Sequence, residues 1–185
     1  MENKRINKGD ILIAKPTLNN DIFNRSVVII TEHSEKGSVG FILNKSSNIP
    51  LHIFVSQMNS DSIVYEGGPV DKENIYYLHS RPDLIRESEK IAENIYWSGN
   101  YEDVREAINM GKIGDDEIRF YLGYSGWSSR QLEIELEMNA WILVRERIDI
   151  FRDWEVDLWK KQLTKLGGEN LICCLLYTSP SPRDA

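Results

Sequence analysis

Apolar positions along this chain gather into short runs separated by polar turns, a pattern of strands rather than of long helices. Ile11, Leu12, Ile13 and Ala14, within Gly9–Pro16, form a buried-strand run closed by Pro16. Arg25–Glu32 (RSVVIITE) is rich in β-branched residues and predicts a second strand. Ser34-Glu-Lys-Gly37 supplies a turn and Ser38–Asn44 (SVGFILN) a third strand, so the two runs predict a hairpin. Further strands are predicted at Ile63–Tyr65, Ile75–His79, Ile91–Trp97, Ile118–Tyr124 and Ala140–Arg145. Ser46–Ser60 reads as a polar loop with one helical turn near Leu51–Val55, and Asp83–Ser88 as another single turn.

Three segments carry helical signals. Asn100–Met110 has Asn100 as N-cap, Glu102 and Asp103 in its first turn, Val104, Ala107 and Ile108 on one face, and Gly111 at C′. In Asp153–Leu166, Val156, Trp159, Leu163 and Leu166 make one apolar stripe, with Asp153 as candidate N-cap and Gly167 after the last turn. Ser128–Asn139 is ambiguous. Leu132, Ile134, Leu136 and Met138 alternate with glutamates as in a strand, yet the residue types are strong helix formers, and Ser128 with Gln131 fits a capping box. We assign it as helix. Strands interleaved with a few helices predict an α+β protein with a mixed sheet.

Composition then narrows the class. The 185 residues suit one domain, placed at residues 1–170; 41% are apolar and 28% charged, ordinary globular values. Residues 171–185 are set apart as a non-native tail. Its last part, Cys173–Ala185 (CCLLYTSPSPRDA), has no period and resembles a translated sequencing-adapter read-through. Cys173 and Cys174 are adjacent and make no disulfide framework. The run Leu171–Leu176 falls far short of the ~20 residues that span a bilayer. A cytoplasmic location is the expectation. With 22 basic against 29 acidic residues, the net charge of −7 disfavours a phosphate-backbone binder.

The candidate chemistry is thin. Gly123-Tyr-Ser-Gly-Trp127 resembles a nucleophile elbow, but Trp127 stands where that motif needs its last glycine. Its plainer reading is a tight strand-to-helix turn with Trp127 packed beneath. Gly67-Gly68-Pro69 is either an anion-binding nest or a plain tight turn. His33, His52 and His79 show no metal-ligand spacing, and no Gly-rich nucleotide loop is present, so neither metal nor cofactor is implied. Glu133, Glu135 and Glu137 suggest paired carboxylates or, more simply, a solvated face. Of the five tryptophans, Trp141 and Trp159 are expected in the core.

Taken in order, these segments resemble one family. Gly9–Pro16, Phe23–Val28, His33, Gly40–Asn44, Gly67–Val70, Leu78-His79, Leu122–Trp127, Gln131–Glu133 and Asn139–Trp141 are similar to the motifs of the YqgE/AlgH family of bacterial proteins, from about Gly9 to Gly167. The resemblance implies a small cytosolic α+β protein whose mixed, strongly bent sheet forms a pseudo-barrel with three to four packed helices. It implies no established enzymatic activity. The family's regulator label comes from a link to alginate production. Two departures stand out. The family usually has Gly where Arg130 stands, and a left-handed turn there would cost a non-glycine residue roughly 1 kcal/mol. It also often has Ala where Ser125 stands.

Carried onto this chain, the signature positions give candidate binding residues Arg25, His33, Asn44, Gly68, His79, Tyr124, Trp127 and Gln131. Arg25, His33, Asn44, His79 and Gln131 each sit at the end of an apolar run, and are expected to line one polar cleft. The leading functional reading is a non-enzymatic regulatory protein binding a small molecule or a protein partner. A hydrolase-like enzyme built on the same polar residues comes second, and a DNA-binding regulator third.

Overall fold

A computed structural model describes residues 5–18, 22–152 and 157–168. It is a mixed α+β fold. Among the described residues it has ten strands and four helices. The strands are β1 (Ile11–Ala14), β2 (Val27–Ser34), β3 (Gly37–Ile42), β4 (Ser46–Pro50), β5 (Ile63–Glu66), β6 (Val70–His79), β7 (Glu89–Ala92), β8 (Ile95–Trp97), β9 (Ile118–Ser128) and β10 (Trp141–Val144). The helices are α1 (Leu51–Phe54), α2 (Tyr101–Asn109), α3 (Gln131–Glu137) and α4 (Leu158–Leu166).

The main path through the sheet runs β10-β1-β2-β3-β9-β6-β8-β7. All its pairings are antiparallel, and only β5 lies parallel, to β9. The sheet is strongly curled. β1 and β7 stand far apart in that order, yet a Cβ built on Gly9 would lie 2.8 Å from the Ala92 Cβ, so the two ends meet. Residues of β1, β2, β3, β6, β7 and β9 therefore share one inner core, including Ile11, Ile29, Phe41, Leu78, Ile91 and Tyr121. α4 packs Leu158, Trp159 and Leu163 into that core, and the Trp159 indole donates to the Ala14 carbonyl at 2.7 Å.

Two outer layers cover the other face. α3 sets Leu132 and Leu136 on Val28, Ile30, Ile42, Trp127 and Trp141. α1 and α2 set Leu51, Val104, Ala107 and Ile108 on Val64, Ile118 and Phe120. The alternation Ile11/Ile13 inward, Leu12/Ala14 outward explains why the β1 run is apolar throughout: both of its faces are covered.

Several expectations need correction. The polar loop over Ser46–Ser60 contains β4, which pairs with β5 through Ile49–Val64 and Pro50–Ile63. The single strand Ile91–Trp97 is a hairpin, β7 and β8, turned at Asn94 with φ 61°. β6 begins at Val70 rather than Ile75. The single turn expected at Asp83–Ser88 is present but begins earlier, the Arg81 carbonyl accepting from the Leu84 and Ile85 N–H groups. Gly123–Trp127 is not a strand-to-helix turn, because β9 runs straight through it to Ser128. The turn comes later, and α3 is entered from Arg130 in the left-handed conformation (φ 62°), not from a Ser128 cap. Ser128 still takes part: its N–H donates to Gln131 Oε1 at 3.0 Å. α2 is capped as predicted, Asn100 accepting from the Asp103 N–H at 3.2 Å. Asp153, Val156 and the tail 171–185 lie outside the described residues.

Candidate functional site

The signature residues do not line one cleft. His33, Trp127 and Gln131 gather around α3; Arg25 and Asn44 lie at the opposite end of β2. Asn44 accepts from the Val27 N–H at 2.9 Å and donates to the Arg25 carbonyl at 2.9 Å. From Val27 to His33 is six strand steps, about 20 Å at ~3.3 Å per residue, too far for one small pocket. His79 is placed elsewhere again, on the face of β6 that packs beside Tyr77 and stacks on Tyr96.

Under α3 the residues make a closed network. Glu135 Oε2 accepts from two indoles, Trp127 at 2.9 Å and Trp141 at 2.8 Å, and its Oε1 accepts from Gln131 at 3.1 Å. Phe23 stacks on Trp127 at 5.9 Å and meets Trp141 edge-on at 5.5 Å. His33 Nδ1 lies 2.7 Å from Ser38 Oγ, and its Nε2 lies 3.5 Å from Glu133 Oε1. That chain of Ser38, His33 and Glu133 has the connectivity of a nucleophile, a base and an orienting acid. Ser38, however, is only 5% exposed, on β3 between β2 and β9. The sequence singled out Glu135 only as part of a glutamate run. Nothing in the run distinguished it, because its partners come from β9 and β10.

The glycine motifs have a packing role. β9 shares one edge between β5 and β3, and Gly67 sits at the junction. Its N–H donates to Leu122 and its carbonyl accepts from Ile42, at 2.8 and 2.9 Å. A Cβ on Gly68 would fall 2.2 Å from the Tyr124 carbonyl, so the two backbones touch. Ser125 Oγ donates to the Gly67 carbonyl at 3.0 Å and has no exposed surface. Tyr124 crosses this junction edge-on to Tyr76 at 5.6 Å. His79 is fully buried, one ring nitrogen 3.2 Å from the Ser98 carbonyl and the other accepting from the Arg81 N–H at 3.1 Å. Burial holds it below the usual histidine range, keeping the imidazole neutral.

The cleft lies where the two ends of the sheet meet. A strap, residues 145–152, leaves β10 and covers a cavity of about 600 Å³, within the range of small-molecule sites. Ile148, Ile150 and Phe151 of the strap reach into the inner core. Arg147 pairs with exposed Glu93 and Arg152 with exposed Asp116 at 3.7 Å, while Arg145 lies 3.9 Å from Asp10. Asp10 is the buried charge, 6% exposed. Its Oδ2 accepts from the Asn7 N–H at 2.8 Å. Burial pushes its carboxyl above the usual range, against the opposing pull of the Asn7 N–H, Arg145 and His33. Sequence reasoning missed this cleft. The available signals were a lone acid opening an apolar strand and three arginines in eight residues after another, and neither specifies a partner without the pairing of β1 with β10 and the curl of the sheet.

Among the described residues no group of three or more His, Cys, Asp or Glu could hold a metal ion, and no helix is long and apolar enough to cross a membrane. The family profile described as AlgH-like matches residues 11–171. A "UPF0301 protein" of Chlorobium chlorochromatii is 38% identical over 169 residues, covering 90% of each chain. One from Cytophaga hutchinsonii is 36% identical, covering 89% of this chain and 92% of its own. The solution structure of the AlgH protein from Pseudomonas aeruginosa superposes with a TM-score of 0.71 at 27% identity, covering 94% of this chain and 95% of that one. A Corynebacterium diphtheriae crystal structure shares the fold at a TM-score of 0.78 and 20% identity, covering 94% of both. The order of strands, the glycine junction at β9 and these matches lead to one conclusion: the chain belongs to the AlgH-like family.

Proposed function

We propose that this protein is a non-enzymatic, cytoplasmic regulatory or ligand-binding protein that takes a small molecule in the strap-covered cleft. The observation that carries this is the cavity of about 600 Å³ with a buried carboxylate, Asp10, on its wall. A carboxylate kept in a desolvated position at a cleft costs the fold stability, and such groups concentrate at functional sites. Two of the signature residues make structural bonds: Asn44 ties β2 to β3, and His79 caps a backbone turn. Native mass spectrometry of the full chain purified from its expression host is the direct test. A discrete bound mass that is lost on Asp10→Asn supports the reading. An adduct-free spectrum that stays so after incubation with host-cell metabolite extract counts against it.

The Ser38, His33 and Glu133 chain favours a second reading, an acyl-transfer enzyme. Its weakness is access, since a nucleophile must meet its substrate and Ser38 is almost enclosed. A fluorophosphonate probe decides between the two. Covalent labelling of Ser38, abolished by His33→Ala, would replace the binding reading; an unlabelled protein retires the enzyme.

A further inference from the structure

Resting on the reading of the strap-covered cleft as the binding site, we propose that the strap is the gate of that cleft and Arg119 its latch. Arg119 is a positioning residue that acts through the Phe151 carbonyl. Ile148, Ile150 and Phe151 of the strap both line the cleft and belong to the inner core. The wall of the cleft and the cover of the inner core are therefore one segment. Lifting that segment widens the cleft but exposes three apolar side chains to water. Closed is the resting state.

Arg119 ties the backbone of the strap to the sheet. It stands on β9 two positions before Tyr121, and so on the same inner face of that strand. Its Nη2 donates to the Phe151 carbonyl at 3.1 Å. Tyr65 steadies the guanidinium: Arg119 Cζ lies 5.5 Å from the centre of the Tyr65 ring, and Nη1 reaches the Tyr65 hydroxyl at 3.5 Å. Within the strap, Asp149 Oδ1 accepts from the N–H groups of Phe151 and Arg152, both at 3.1 Å. Residues 149–152 thus form one closed turn, and a hold on the Phe151 carbonyl is a hold on the whole turn.

The side chains of the strap hold it less firmly. Arg147 pairs with Glu93 and Arg152 with Asp116, and both partners of each pair are more than half exposed. Ion pairs in such positions contribute little and are screened by salt. Arg145 lies at the end of the strap that β10 already fixes. The Arg119 bond differs, because a cationic donor meets a carbonyl in a part-buried position, where water competes less. A hydrogen bond from a charged group shifts an equilibrium by about tenfold or more. Arg119 therefore sets how often the strap opens.

The test is trypsin digestion of the native full chain, since the strap carries its own cleavage sites. Cleavage after Arg147 requires the strap to leave the sheet, so its rate follows the open fraction. Arg119→Leu should raise that rate at least tenfold, while cleavage after Arg105, inside α2, changes less than threefold. Glu93→Gln and Asp116→Asn leave the trypsin sites intact and should each raise it less than threefold. Arg119→Lys keeps the cation but not the two-pronged donor; it should raise the rate threefold or more, and carries the test if Arg119→Leu does not fold. A strap rate unchanged in both Arg119 variants overturns the proposal. So does an equal rise after Arg105, the sign of general unfolding, or a rise in Glu93→Gln or Asp116→Asn as large as in Arg119→Leu. Native mass spectrometry of the same samples reads the coupling to the site. An adduct held by the parent should be lost from Arg119→Leu; an adduct kept at parental occupancy overturns the gate. A parent without adduct removes the binding reading and the gate with it, while the proteolysis shows separately whether Arg119 holds the strap.

Discussion

Glu135 ties α3 to two tryptophans of the sheet through one carboxylate, so its loss should be costly to the outer core. Its carboxylate accepts from the indoles of Trp127 and Trp141, which are 5% and 3% exposed. Glu135→Ala leaves two nearly buried N–H donors without an acceptor. A hydrogen bond to a charged group contributes about 1.5–3 kcal/mol, and a buried donor left unmade costs about 1–3 kcal/mol. Glu135 itself is half-buried, so water reaches the vacated space and takes back part of that loss. The net expectation is about 3 kcal/mol, or a Tm lower by roughly 6–12 °C for a chain of this size. Glu135→Gln keeps an acceptor oxygen with two lone pairs and should lose only about 1 kcal/mol. Urea denaturation followed by tryptophan fluorescence measures both. A double-mutant cycle with Trp127→Phe, which removes one donor but keeps a ring, isolates the pair. If Glu135→Ala falls within about 1 kcal/mol of the parent, the two indole bonds do not hold α3 to the sheet and the reasoning fails.

The remaining predictions concern the backbone and the cleft. Arg130→Gly relieves a left-handed residue that costs about 1–2 kcal/mol, against about 0.5–1 kcal/mol of added chain entropy, so thermal unfolding should show a Tm about 2 °C higher. Gly68→Ala places a Cβ 2.2 Å from the backbone of Tyr124, where no side chain can give way; the variant should fail to give soluble protein with parental far-UV circular dichroism. Ser125→Ala should cost about 1 kcal/mol in urea denaturation and leave any ligand affinity unchanged, since its hydroxyl only bonds the Gly67 carbonyl. Asp10→Asn should stabilise the fold above the ordinary carboxyl value of 3.8. The folded state raises this pKa, so it favours the protonated acid; the stability this contributes is complete below 3.8 and is lost as pH rises through the folded value. Denaturation at pH 3 and pH 7 should therefore show no gap between parent and variant at the lower pH, and a more stable Asp10→Asn variant at the higher. Equal stabilities at pH 7 would refute it.

Much of the fold was legible from local pattern. The β1, β2 and β3 runs were read from apolar and β-branched clusters, and the β2–β3 hairpin from the Gly37 turn. α2 was read from its cap, its apolar face and Gly111, all close together in sequence. α3 was read against its own alternation, because composition outweighed period; Leu132 and Leu136 are one helical turn apart and both buried, as a helix requires. β4 was missed because its sequence, SSNIP, has only Ile49 to mark an apolar run, and pairing with β5 is what makes it a strand. The elbow-like Gly123–Trp127 suggests a turn, but Gly123 serves a close approach of the Gly68 and Val70 carbonyls to β9, a contact between segments far apart in sequence.

The α+β class, the family, the main strands and the positions of the glycine and tryptophan motifs could all be read from the residues alone, since each depends on neighbours within a short stretch of chain. Arg130 also stood out there as an irregular choice, and its left-handed φ of 62° is a conformation that suits glycine better than a residue with a Cβ. What the polar residues do was set at the tertiary level. Strand pairing sends His33 and Arg25 to opposite ends of β2, and the curl of the sheet carries β7 round to β1. The pairing of β1 with β10 sets Arg145 beside Asp10, and the closure brings Glu93, beyond β7, to Arg147 of the strap. Residue types and local periods say nothing about such a meeting, because it is the global path of the backbone, not any single segment, that sets which distant side chains share a cleft.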